Sequence, residues 1–333
     1  MKKLIPFVFA LSLVGCGDCN GDTPETTADL NATATRTDTL TICSFNIQFV
    51  GHFTKKDNTA LANLLKDYDI VVIQELIAPP ISGNYPDGTS FSADPEAAAF
   101  LQAMTNQGFQ YVQSEEDTGP GTQNHLSTTA TEWWITFYKS NKVATATDLP
   151  SGFLAADRSD NPDFERVPYA FAFRTPDNKL DFVLISVHLA PGAAENDRRK
   201  EELDAIASWI DANDQTEKDF IILGDMNIEN SVELANATPT GYLSLNDECR
   251  KTNTAAGSQK PYDHAMYNTT HTATDLDIQY DLAVVDLIEA MRNSWTSSDP
   301  YPGDPYDHNL FRQYYSDHHP VVFKMVVRGG DDD

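Results

Sequence analysis

Near the end of this 333-residue chain, Ser316-Asp317-His318-His319-Pro320 sets an acid and two adjacent histidines directly before the apolar run Val321-Val322-Phe323. A buried strand gains little from such residues at its mouth, whereas proton transfer near neutral pH uses acids and imidazoles. The pattern recurs along the chain. Leu40-Thr41-Ile42-Cys43-Ser44-Phe45 alternates loosely as a strand and ends at Asn46. Ile70-Val71-Val72-Ile73 ends at Gln74-Glu75, and Phe182-Val183-Leu184-Ile185-Ser186-Val187 ends at His188. Phe220-Ile221-Ile222-Leu223 runs into Gly224-Asp225-Met226-Asn227. One polar strand end is an ordinary loop start. Five that converge offer carboxylates, amides and imidazoles on one lip of a sheet core. Hard oxygen ligands suit magnesium and imidazoles supply acid and base, a set fitted to metal-assisted hydrolysis of a phosphate ester.

The elements that must hold these residues alternate between two periods. Between the strand-type runs, Asn58 to Tyr68 places Leu61, Leu64 and Leu65 on one helical face. Asp94 stands where an N-cap belongs, Pro95 follows at the first helical position, and Phe100, Leu101 and Met104 form the stripe. Ala194 to Asn213 carries Leu203, Ile206 and Ile210 at helical spacing. Strands interleaved with amphipathic helices predict an α/β layered domain over residues 39–328, with no internal repeat. An apolar content of 41% is ample for its core.

The ends read differently. Lys2 and Lys3 precede the apolar Leu4 to Val14, and Leu13-Val14-Gly15-Cys16 resembles the lipobox of bacterial lipoproteins. That resemblance implies a signal peptide over residues 1–15 and a lipid on Cys16. It implies attachment to the cell envelope, periplasmic or surface-facing, and at the outer membrane in a host that has one, because Gly17 stands where an inner-membrane retention Asp would. Residues 16–38 are polar and read as a flexible tether, and 329–333 as an acidic tail. The pairing of Cys19, Cys43 and Cys249 stays open, and no two of them have zinc-site spacing. A net charge of −27 weighs against tight polyanion binding through Lys and Arg. It does not weigh against metal-assisted turnover.

Taken together, the stretches TICSFNIQFVG, YDIVVIQE, FERVPYAFAF, ISVHLAPG, ILGDMNIE, KPYDHAMYN and SDHHPV resemble, in order and spacing, the endonuclease/exonuclease/phosphatase superfamily, and specifically deoxyribonuclease I. The resemblance covers about Leu40 to Val327. It implies a two-sheet β-sandwich flanked by helices, four layers deep, with the site at one edge. It implies a divalent cation, Mg2+ with Mn2+ as a substitute, at Asn46 and Glu75, and Asp317 as a second metal-site or orienting acid. Asp225 would orient the attacking water, Asn227 and Arg166 would hold the phosphate, and His188 and His318 would bracket it. Glu132 would support His188, and Asp263 would support His318. The substrate implied is nucleic acid, DNA and then RNA, and the protein is expected to be a monomer. Which histidine is the base, and whether one metal or two bind, stays open.

The chain also departs from that pattern. Ile77 and Ala130 stand where deoxyribonuclease I has an arginine and a tyrosine that enter the minor groove, and residues 78–93 and 114–131 form long loops. Those departures keep a second substrate class in view, a lipid or inositol phosphate. A non-catalytic binding module is opposed by the retention of Asn46, Glu75, His188, Asp225, Asn227 and His318 together. Asp299, Asp304 and Asp307 could hold structural calcium, although an acidic, Pro-rich loop is more simply solvated. Of Trp133 and Trp134, alternation predicts one in the core and leaves the other free to stack. His125, His264, His271 and His308 read as loop or packing residues, and His319 points away from His318 into a packing or surface role.

Overall fold

A computed structural model describes residues 38–122, 125 and 128–327. The expected leader, Cys16, Cys19, the tether up to residue 37 and the acidic tail lie outside them. The chain begins with β1 (Asp38–Val50), α1 (Asn58–Leu65), β2 (Ile70–Leu76), β3 (Gly83–Asn84), β4 (Ser90–Phe91), α2 (Pro95–Asn106) and β5 (Gln110–Gln113). Then come β6 (Trp133–Tyr138), β7 (Ala144–Thr145), β8 (Gly152–Phe153), β9 (Tyr169–Arg174), β10 (Asp181–His188) and α3 (Asn196–Asn213). The last third holds β11 (Phe220–Asp225), α4 (Ser231–Ala237), β12 (Tyr242–Ser244), β13 (Asp263–Asn268), β14 (Ala283–Val284), α5 (Leu287–Arg292), α6 (His308–Tyr314) and β15 (Val321–Val327).

Two large sheets result, ordered β14-β15-β1-β2-β6-β5 and β12-β13-β11-β10-β9-β7, with β8 also paired to β9, and β3 and β4 pair separately as a small antiparallel ribbon. Alternation along the strands sorts their side chains into three cores. Leu40, Ile42, Ile70, Val72 and Trp134 of the first sheet meet Phe171, Phe182, Leu184, Ile221 and Leu223 of the second. Cys43, Phe45, Val71, Ile73 and Phe137 turn outward onto Leu61, Phe100, Met104, Leu287 and Phe311 of the helices. Val183, Ile185 and Ile222 turn the other way onto Leu203, Ile206 and Ile210 of α3 and Leu234 of α4. Helix, sheet, sheet, helix is the four-layer sandwich expected. Both faces of the central strands are covered, which is why they read as continuous apolar runs.

That double covering corrects one expectation. Trp133 and Trp134 point to opposite faces of β6, yet both are buried, Trp133 against Tyr85 and Phe91 of the β3–β4 segment and Trp134 between the sheets. Neither is free to stack on a base. The helices are also shorter than their patterns. α1 stops at Leu65 rather than Tyr68, and α3 starts at Asn196 rather than Ala194. Asp94 does cap α2, accepting from the backbone N–H groups of Glu96 and Ala97.

Topology explains why the polar strand ends meet. β1 and β2 are parallel at the centre of one sheet, and β10 and β11 are parallel at the centre of the other. Their carboxyl ends carry Asn46, Glu75, His188 and Asp225. The neighbours β6, β13 and β15 run antiparallel to β2, β11 and β1, so their amino ends, with Glu132, Asp263 and His318, reach the same edge. Beneath that edge one polar rung crosses the apolar gap. Ser44 Oγ donates to Gln74 Oε1 at 3.3 Å, and Gln74 Nε2 donates to Ser186 Oγ at 3.2 Å. On the second sheet, Gly224 (φ +142°) lets β11 lie tight against β10, since a Cβ there would stand 2.1 Å from the Val187 carbonyl oxygen.

Candidate active site

The carboxyl ends of the parallel strands leave regular geometry just where the chemistry sits. The β1–β2 register shifts between Asn46 and Val50, and Gln48, Phe49 and Glu75 all adopt φ between 53° and 61°. Left-handed backbone at three non-glycine residues costs energy and persists only where surroundings enforce it. Asn227 follows Asp225 in the same conformation, at φ 52°.

One oxygen lies at the centre. Asp225 Oδ2 accepts from Asn46 Nδ2 at 3.0 Å, and Nε2 of His188 and Nε2 of His318 each stand 3.5 Å from it. Each imidazole is fixed from behind. His188 Nδ1 meets Glu132 Oε2 at 2.8 Å, and His318 Nδ1 meets Asp263 Oδ2 at 2.8 Å. Glu132 uses its other oxygen on the Glu75 backbone N–H at 2.6 Å, so one carboxylate orients a histidine and the strand end beside it. Asp225 Oδ1 accepts the Asn227 backbone N–H at 2.9 Å.

The two imidazoles differ in charge. Burial, and then the Arg166 charge, push the pKa of His188 down to about 3, which keeps it neutral. Burial opposes charge on His318 too, but Asp263, Asp225 and Asp317 outweigh it and raise that pKa well above 6.5. Arg166 Nε lies 3.5 Å from Glu132 Oε2. Its Nε and Nη1 are buried without a hydrogen-bond partner, and unpaired buried donors are the groups an anion satisfies.

On the first sheet the site is acid-rich. Glu75 Oε1 accepts from Asn46 Nδ2 at 2.9 Å, and burial, followed by the charge of Asp317, pushes its pKa up to about 8. Asp317 Oδ2 accepts from Gln48 Nε2 at 2.5 Å, while its Oδ1 is buried without a hydrogen bond. The amide of Asn46 is turned to bracket Glu75 and Asp225, and its oxygen accepts the Gln48 backbone N–H at 3.0 Å. In this orientation Asn46 spaces the carboxylates.

Residues 43–318 match the profile of the Endonuclease/Exonuclease/phosphatase family. The chain belongs to that family. Its members are hydrolases acting on phosphoester bonds and generally use divalent metals. No curated protein sequence matches this one significantly. Solved structures of low identity share the fold. An endonuclease/exonuclease/phosphatase family protein from Bacteroides thetaiotaomicron is 14% identical, with 88% of this chain and 100% of that one covered at a TM-score of 0.56. A mannosyl-6-phosphatase from the same organism is 14% identical, with 86% and 99% covered at 0.55. D. rerio TDP2 complexed with single strand DNA product is 16% identical, with 86% and 98% covered at 0.51.

The donor set fits the divalent cation that family members use. Ligand atoms of Glu75, His188 and Asp225 lie within 4.8 Å of one another, as do those of Asp225, Asp263 and His318. Glu75 and the Asp317 oxygen that lacks a hydrogen bond are hard, buried oxygen donors of the kind a divalent cation takes. The catalytic, phosphate-binding and metal-site residues expected from sequence gather at one edge, with Arg166 and Asn227 on the second-sheet side, while Cys16 lies outside the described residues.

Sequence reading missed the residues that hold them. Gln48 pairs with both the side chain and the backbone of Asp317. Ser316 Oγ donates to the Asn46 carbonyl at 2.7 Å and accepts the His318 backbone N–H at 3.0 Å. Lys56 is buried and donates to the carbonyls of Ile47 (2.6 Å) and Tyr315, pinning both loops. Burial lowers its pKa to about 7, against the pull of Asp317 and Glu75.

The remaining expectations resolve simply. His319 Nδ1 accepts the Leu287 backbone N–H at 3.0 Å at the start of α5, a packing role. His264 is buried against Ser244, His125 stacks on Tyr85 between Asp117 and Asp87, and His308 lies beside Tyr306. His271 precedes the 3-10 turn Thr272–Thr274. In the candidate calcium loop, Asp304 pairs with Arg292 and Asp307 caps α6. Among the described residues these acids form no cluster of three ligand atoms. Ile77 is buried, and Cys43 and Cys249 are both free thiols.

Proposed function

We propose that this protein is a magnesium-dependent phosphodiesterase that cleaves DNA, and RNA as a further substrate, by in-line attack of water. The observation that carries the reading is the single oxygen of Asp225 set 3.5 Å from Nε2 of both His188 and His318. Asp225 orients the water. Neutral His188, its Nδ1 proton held by Glu132, takes up the water's proton at Nε2. Charged His318, supported by Asp263, donates a proton to the leaving oxygen. Arg166 and Asn227 hold the phosphate oxygens. Glu75 and Asp317 would hold the cation, with Asn46 as their spacer, and its charge would offset that developing on the phosphate.

A second reading, hydrolysis of a lipid or inositol phosphate, is favoured by the net charge of −27 and by the burial of Ile77 where a groove-reading side chain would project. Purified protein assayed on supercoiled plasmid, RNA, phospholipid and inositol phosphates, with Mg2+ or EDTA, separates the two. Nicking that persists both in EDTA and in His318→Ala overturns the mechanism, and lipid hydrolysis without nicking selects the second reading. Cys16 we assign as the lipid attachment site of a monomeric, envelope-anchored protein. Retention of the protein in the membrane fraction of Cys16→Ser cells would refute the anchor.

A further inference from the structure

Arg199 and Glu202 sit in the first turns of α3, which also buries Leu203, Ile206 and Ile210, and both are fully buried. Buried charges left without partners cost several kcal/mol, so their partners indicate what they are for. Both oxygens of Glu202 go to backbone. Oε1 accepts the Glu165 N–H at 2.7 Å, and Oε2 accepts the Ala190 N–H at 2.9 Å. Glu165 directly precedes Arg166, and Ala190 lies two residues beyond His188. Arg199 continues the pattern, donating from Nη1 to the carbonyls of Ala190 (2.9 Å) and Gly192 (2.8 Å), and from Nε to Glu233 Oε1 at 2.6 Å. Glu233 Oε2 accepts the Glu229 N–H at 2.9 Å, two residues past Asn227, and Asn227 Nδ2 donates to the Leu189 carbonyl at 3.0 Å. Three loops that are remote in sequence thus end on one set of buried charges beneath α3 and α4.

We propose that Glu202 is a positioning residue for phosphate binding, fixing the separation of Arg166 and His188 through the Glu165 and Ala190 amides. The proposal rests on the reading of Arg166 as the group that holds phosphate. A carboxylate suits the task because its two oxygens can each accept an N–H from a different loop. An apolar residue at this position would leave both amides buried and unpaired. Supporting groups of this kind set how closely a binding constellation keeps its productive geometry.

The test is a double-mutant cycle on the full chain, with inorganic phosphate as the probe, read by calorimetry and by competitive inhibition of bis(p-nitrophenyl) phosphate hydrolysis. Glu202→Gln replaces one acceptor with a donor and should weaken phosphate binding about tenfold, the loss expected for a hydrogen bond to a charged group. In an Arg166→Met background the same change should weaken it no further. Equal weakening in both backgrounds, or a lower melting temperature with unchanged phosphate affinity, overturns the proposal. If Glu202→Gln does not fold, Glu202→Asp keeps both acceptors on a shorter stem and carries the same cycle, with the same coupling expected and the same additivity refuting it. A protein that binds phosphate but hydrolyses no phosphodiester would end the nuclease reading and leave the calorimetric cycle to decide Glu202.

Discussion

Glu75 and Asp317, on the first sheet's side of the edge, crowd negative charge that burial makes costly; of the cations there, Lys56 is spent on the Ile47 and Tyr315 carbonyls, and Arg312 Nη1 stands 3.8 Å from Asp317 Oδ2. On the second sheet's side, Arg166 and Asn227 present donors, and the loops behind them are gripped by Glu202, Arg199 and Glu233. One half therefore gathers carboxylates, and the other keeps buried Arg166 donors without a hydrogen bond. A phosphate with its metal is the ligand that satisfies both. Asp225 stands between the halves, bonded to Asn46 on one side and flanked by an imidazole from each sheet. The lesson is that the fold leaves unfavourable local electrostatics at this edge, and that substrate and cation together relieve them.

Four changes would break or sharpen that contrast. His318→Ala removes the charged imidazole and should lower kcat by about 10³-fold, the scale of acid–base catalysis, in a steady-state assay. Gly224→Ala attacks the second half alone. The Cβ would collide with the Val187 carbonyl, and urea unfolding should show a loss of about 3 kcal/mol. Glu75→Gln relieves the first half, so the melting temperature in EDTA should rise while activity falls on the order of 10²-fold, as expected where a site stores instability for function. A fall in both would show that Glu75 is not under electrostatic strain. His319→Ala touches neither half. Activity should stay within about threefold, with a stability loss of about 1 kcal/mol from the unpaired Leu287 amide.

Much of the site was legible because a polar residue ending an apolar run violates the pattern of a buried strand. Asn46, Glu75, His188, Asp225 and His318 each broke a pattern of residue type, and the resemblance supplied Arg166, Glu132 and Asp263. The residues themselves indicated an α/β layered domain, and the motifs indicated the two-sheet form. What escaped were residues that act on backbone. Glu202, Arg199, Lys56 and Ser316 bond to carbonyls and amides of other loops, and a backbone group leaves no signature in the identity of the residue that owns it. The Trp133-Trp134 pair was misread for a related reason. Alternation tells the face of a strand, but not what covers that face.

The Gln74 rung has a further consequence. It joins Ser44, two residues before Asn46, to Ser186, two residues before His188, through the residue that adjoins Glu75. Greasy sheets packed face to face can slide, but two sheets doweled together cannot. The gap between the cation-seeking and phosphate-seeking halves is therefore gauged by the length of one glutamine side chain. Any relative adapting to a larger or smaller reacting group must change its loops, or else recut that ruler.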